Sequence, residues 1–426
     1  MKKIFFIFYI CIVTIAFLAK VRNTYCQEEE LDWQACVQEA AFHNPQLIAS
    51  SQVIAQNEAN QRIQESALLP LLNAQIQATL EKAESKERSQ HYSFGVSGTQ
   101  LLFDGRKTMQ QVLTAKEQVY ASKEAFRFIS AQLRYNLRKA FIDLLEAQQL
   151  ISVNEEIMKM RRDSLELITL RYESGLEHRG ALLTAEANAE NARFSLHKAQ
   201  RALSVAQRKL AKELGRTTVS ALRVKGDFRI SELLEQEPDF AKIAQNHPSL
   251  RQALAEKNIA SFNIKSAQAQ YLPTIKASYS AVKTGTHIFP DAGSLEAGVS
   301  LTIPVLEGGL RMAQLAQAQA GLRKATQELF STTASIYVSL EESWQALQDA
   351  VENVEVKKKA LEAAEERAQI AEAQYQIGFM SFDSWVIIQN DFVNAKRAYL
   401  QAQVDALRAE AAWLLAKGET IEYAYK

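Results

Sequence analysis

The chain has 426 residues, 49 basic against 49 acidic side chains, and only 15 Gly and 7 Pro. The balanced charge removes any electrostatic case for a nucleic-acid partner. The scarcity of Gly and Pro, beside abundant Ala, Gln, Glu, Leu and Lys, predicts a mostly helical chain, and the length allows two or three domains.

In chain order, Lys2 and Lys3 precede an apolar run from Ile4 to Ala19. Sixteen residues are short for a bilayer span and typical of a signal h-region, so residues 1–26 read as a signal peptide; an uncleaved anchor is the alternative. A cut after Cys26 leaves 45 basic and 49 acidic side chains, with Cys36 as the last thiol. Lipidation at Cys26 is the other possibility, although Asn23-Thr-Tyr-Cys26 is a poor acylation signal. A lone thiol forms no internal disulfide, and no Cys or His spacing suits a metal.

The remainder is written twice. A shift of 203 residues superposes Pro45 on Pro248, Pro70 on Pro273, Gly95-Val-Ser97 on Gly298-Val-Ser300, and Tyr172-x-x-Gly175 on Tyr375-x-x-Gly378. That exceeds a solenoid period of about 20–50 residues, so one unit of about 200 residues is used twice.

Repeat 1 spans 27–215. Its first helix breaks at Asn44-Pro45, because a residue before proline avoids the α region. After Pro70 the period becomes 2. Leu72, Ala74, Ile76, Ala78 and Leu80 alternate with Asn73, Gln75, Gln77 and Thr79, and a second alternating stretch ends at Phe103, giving a hairpin over 71–103. A long helix follows over 106–174, in which no Gly or Pro occurs. Gly175 and Gly180 form a tip, and helix 181–214 returns to Gly215. Residues 216–238 link the halves.

Repeat 2 spans 239–418. A hairpin over 274–306 sets Ile275, Ala277, Tyr279, Val299 and Leu301 against Lys276, Ser278, Ser280, Glu296, Ser300 and Thr302. Residues 283–294 read as its loop. A helix over 310–377 leads to a tip at Gly378, and helix 382–417 returns to Gly418. Residues 419–426 are a tail.

Each strand is about 10–11 residues, the length that crosses a bilayer when tilted, and each has one apolar and one polar face. Lipid tolerates no open sheet edge, and about eight strands are the useful minimum for a barrel. Four strands must therefore be shared between chains, and three copies give twelve. The polar set Asn73, Gln75, Gln77, Thr79, Lys276, Ser278, Ser280, Glu296, Ser300 and Thr302 is expected to line the lumen, with Ile76, Phe94, Tyr279 and Val299 facing lipid.

The duplication, the order helix–hairpin–long helix–helix, and the opening Asn44-Pro45-x-Leu47 resemble the TolC family of outer-membrane efflux proteins. So do the strand ends Gln100-Leu-Leu-Phe-Asp-Gly105 and Thr302-Ile-Pro-Val-Leu-Glu-Gly308, and the tip Arg171-Tyr172-x-x-Gly175. The resemblance covers about residues 31–417. It implies a homotrimer with a 12-stranded β-barrel in the outer membrane and a long α-helical barrel across the periplasm. A periplasmic adaptor and an inner-membrane pump of the RND or ABC type are implied as partners, in tripartite efflux or type I secretion. The resemblance also implies a periplasmic constriction at the tips. Its candidate residues are Tyr172, Gly175, Arg179, Tyr375, Gly378 and Asp383, with Arg179 pairing Asp383 between neighbouring helix pairs.

No GxxxxGK[ST], GxSxG or HExxH motif occurs, and the six His are scattered. The expectation is a passive conduit without enzymatic activity, cofactor or metal, driven by a partner. The alternative is a non-conducting periplasmic coiled-coil scaffold.

Overall fold

In the computed structural model, residues 29–81, 89–218, 221–230 and 237–421 are described. The signal segment, Cys26 and the end of the tail lie outside them. Two compact units emerge, and each draws on both repeats. The first comprises Met1–Pro45, Ser130–Pro238 and Leu340–Lys426; the second comprises Gln46–Ile129 and Asp239–Ser339.

Local chemistry sets the helix limits. Asp32 caps α1 (Trp33–His43) by accepting from the Ala35 N–H at 2.7 Å. The helix stops at Asn44 because Pro45 follows, and α2 (Pro45–Ser66) starts on that proline, whose missing N–H is no loss in a first turn. Repeat 2 uses the same device. Asp239 caps α5 (Phe240–Asn246), and His247 caps α6 (Pro248–Ala269) by accepting from the Ser249 N–H at 3.2 Å. Repeat 2 therefore also opens with two helices.

The long helices α3 (Lys107–Glu173) and α7 (Leu310–Gln376) have 67 residues each, about 100 Å at 1.5 Å per residue. Both contribute to both units. The returning helices are α4 (Arg179–Leu214) and α8 (Phe382–Ala416).

The second unit holds a four-stranded antiparallel sheet. Its strands are β2 (Leu71–Glu81), β3 (Ser89–Phe103), β5 (Thr274–Gly285) and β6 (Ala292–Thr302), in the order β2-β3-β5-β6. Both hairpins lie side by side, and β2 and β6 are the edges. The expected loop over 283–294 shrinks to residues 286–291. Pairing continues through Lys283↔Gly293 and Thr284↔Ala292, since backbone hydrogen bonds do not need the apolar alternation to persist. At the other end β6 stops at Thr302, short of 306, because Pro304 cannot donate to a ladder.

The first unit contains a two-stranded parallel sheet that no periodicity announced. β1 (Glu29–Leu31) pairs with β4 (Leu222–Val224), inside what reads as a linker. Gln148 on α3 fixes β4 by donating to the Val224 carbonyl at 3.0 Å and accepting from its N–H at 2.9 Å. The tail is held too, since buried Ile421 donates its N–H to Ser130 Oγ at 3.1 Å.

The core of this unit is mixed. Ile142, Val153, Ile157, Val393, Val404 and Leu407 form one apolar cluster. Beside Trp33 and Phe141, Arg138 lies 5.0 Å from the Trp33 ring and 3.6 Å from the buried Glu410 carboxylate. Burial lowers the Arg138 pKa, and Glu410 opposes that shift.

Candidate functional site

Two arrangements, one in each unit, bear on function. The first is the sheet. Residues directly opposite in an antiparallel pair share a face, so the register sorts every strand residue. One row runs Asn73↔Ser97↔Ser280↔Glu296 across all four strands. The next runs Gln75↔Gly95↔Val282↔Ser294, and the next Gln77↔Ser93↔Thr284↔Ala292. Thr79 sits opposite His91 in the same set, Ser278 is flanked by Thr99 and Gly298, Lys276 by Leu101 and Ser300, and Thr274 faces Thr302. All ten residues anticipated as polar lining fall on this one face. Leu71, Leu101, Val282 and Ala292 are its apolar exceptions.

The other face carries Leu72↔Gly98↔Tyr279↔Ala297, Ala74↔Val96↔Ala281↔Leu295 and Ile76↔Phe94↔Lys283↔Gly293. Ala277↔Val299 and Ile275↔Leu301 extend it, while Gln90, Gln100 and Lys283 are its polar exceptions. Among the described residues no layer covers these side chains: Ile76 is 77% exposed, Val299 69% and Leu295 84%. Contiguous apolar exposure of this kind marks a surface meant for lipid or protein. Among the described residues no helix is long and apolar enough to cross a membrane.

The second arrangement is the pair of helix tips in the first unit. Both are Schellman turns with a left-handed glycine, at φ 74° for Gly175 and 81° for Gly378. The Leu176 N–H reaches the Arg171 carbonyl at 2.8 Å, and the Phe379 N–H reaches the Gln374 carbonyl at 2.8 Å. The pseudo-symmetry ends at the side chains. Tyr375 is buried, stacked on Trp385 at 4.4 Å with 3° between the rings, and edged by Phe382. Tyr172 is exposed. The positions equivalent to Phe382 and Trp385 are Arg179 and Leu182, so the first repeat has no aromatic box for its tyrosine.

The tips are joined by polar contacts. Tyr375 Oη donates to Glu177 at 2.7 Å, the Arg171 guanidinium lies 4.8 Å from the Tyr375 ring, and its Nε is 3.9 Å from Glu177. Burial, then the Glu177 carboxylate, raises the Tyr375 pKa, so the phenol stays protonated and donates. Of the six residues anticipated here, the glycines make the turns and Tyr375 is central to the joint. Arg179 and Asp383 are exposed at the starts of α4 and α8, and they form no ion pair with each other within one chain. Arg171, Glu177 and Trp385 were not singled out as tip contacts. The signal for Trp385 was its three-residue spacing from Phe382, the helical period that places both on one face.

Comparison with known proteins agrees with this architecture. The model of the outer membrane efflux protein family matches residues 36–216 and 240–419, one match per repeat. The outer membrane efflux protein BepC of Brucella suis is 24% identical over 386 residues, covering 88% of this chain and 83% of the relative. TolC of Escherichia coli is 24% identical over 398 residues, covering 87% and 78%. Among solved structures, CusC superposes with a TM-score of 0.84 at 17% identity, covering 93% of this chain and 94% of that one. The open state of the MtrE outer membrane channel of Neisseria gonorrhoeae gives 0.81 at 19% identity, covering 90% and 88%. This chain belongs to the outer membrane efflux protein family, and its place is the cell outer membrane.

Proposed function

We propose that three copies of this chain close a 12-stranded barrel and act as a passive exit duct. Cargo arrives from an inner-membrane RND or ABC pump through a periplasmic adaptor. The observation that carries the reading is the sheet. Among the described residues it has one largely apolar face with no protein cover, one polar face, and two edges, β2 and β6, without partners. A four-stranded sheet leaves both edges as liabilities, and joining β6 of one copy to β2 of the next removes them. The apolar rows then meet lipid and the ten polar residues line water.

The same assembly assigns the tips a gating role. Arg179 and Asp383, unpaired within a chain, pair between neighbouring copies and, with the Tyr375–Glu177 joint, hold the mouth closed. Single-channel recording in planar bilayers tests both parts. Stable conductance steps are expected from wild type, larger in Arg179→Ala and in Asp383→Ala, with little further gain in the double variant. Absence of conductance overturns the duct and favours a scaffold; unchanged conductance in the variants overturns the latch.

A further inference from the structure

Among α3, α4 and α8 lies a small cavity of about 10 Å³, lined on its polar side by Arg161, Ser164, Asn188, Trp385 and Gln389. Its chemistry is one-sided. Arg161 is 6% exposed, and its guanidinium donates only to neutral oxygens, Gln389 Oε1 at 2.8 Å and Asn390 Oδ1 at 2.5 Å. Among the described residues it forms no ion pair with a carboxylate, and the charge acting on it is a second guanidinium, Arg397. Burial, then Arg397, hold the Arg161 pKa below the usual guanidinium range. Trp385 is 2% exposed, and its Nε1–H is buried without an acceptor. Two acceptors of the wall are already engaged. Gln389 Oε1 accepts a hydrogen bond from Arg161, and Ser164 Oγ accepts from Gln389 Nε2 at 3.2 Å while donating to the Met160 carbonyl at 2.9 Å.

We infer that this cavity is a binding site for a small inorganic monovalent anion, chloride in ordinary salt, held by the Trp385 indole N–H and the Arg161 guanidinium. A water molecule fits a void of this size and would satisfy the indole. It would leave a buried guanidinium without a counter-charge, the arrangement that costs most in a protein interior. The site lies within one chain and does not depend on the proposed duct.

The probe is bromide. Crystals of the full-length, detergent-solubilised protein grown in sodium bromide are expected to show an anomalous peak beside Trp385 Nε1, and none in Trp385→Phe. That variant keeps a ring to stack on Tyr375 and removes only the donor, so it is expected to fold. In solution, the unfolding midpoint is expected to rise saturably with chloride against gluconate at equal ionic strength. Trp385→Phe should weaken the apparent chloride affinity about tenfold, and Arg161→Met should abolish the effect. Water density alone, a carboxylate from a neighbouring copy in the cavity, or a midpoint indifferent to chloride would each overturn the assignment.

Discussion

At the scale of single residues, the duplicated sequence is its own control. His247 and Asn44 occupy the same place before a helix-opening proline, but only His247 titrates. Burial holds its pKa down to about 4, from an ordinary 6.5. The folded state therefore prefers the neutral ring, whose Nδ1 accepts from Ser249. Its contribution is whole above about pH 6.5 and declines as the pH falls towards 4, by about 3 kcal/mol in all. His247→Asn, copying the first repeat, is expected to remove this part of the acid sensitivity in pH-dependent unfolding; an unchanged profile contradicts it. A second pair is Arg106 and Gly309. Both hold a left-handed backbone, at φ 70° and 85°, which costs a non-glycine residue roughly 1–2 kcal/mol. Arg106→Gly is expected to raise the unfolding free energy by about 0.5–1 kcal/mol, less than the strain because glycine also loosens the unfolded chain. At the tip, Trp385→Ala removes a buried ring and is expected to cost about 3–5 kcal/mol, whereas Tyr375→Phe loses one hydrogen bond to a charged group, about 1.5–3 kcal/mol.

At the scale of elements, the strands and long helices were legible because each repeats a period many times. Five alternations from Leu72 to Leu80 decide a strand and its faces together, and the Gly- and Pro-free stretch after Arg106 decides a helix of unusual length. β1 and β4 were not legible, since a three-residue strand carries no period and its partner lies in a segment with no pattern. The end of β6 was overrun because Ile303 and Val305 continue the alternation that Pro304 interrupts. The joint at the tips escaped for another reason. Tyr375 meets Glu177 across 198 positions, and a contact at that separation exists only once the four helix ends are packed. The face assignment gives the sharpest element-level test. Val96 lies between Ala74 and Ala281 in the middle of the apolar face, while Gln77 is on the polar one. Val96→Arg is expected to cost roughly 2–4 kcal/mol in a membrane-embedded barrel, and Gln77→Arg little. Equal assembly of both variants, measured by yield of folded protein in the outer-membrane fraction, would contradict the assignment.

At the scale of the whole molecule, the shared sheet links sequence to function. Two hairpins from two repeats make one sheet with a dry face, a wet face and two open edges. A single copy cannot satisfy those edges in lipid, and the proposed joining of three copies would. Measuring the mass of the detergent-solubilised complex of full-length protein tests this most directly. A complex of three chains that keeps its strand content in detergent is the expected result. A monodisperse single chain with full strand content would contradict it, because the four-stranded sheet would then be stable in a membrane-like environment with both edges exposed.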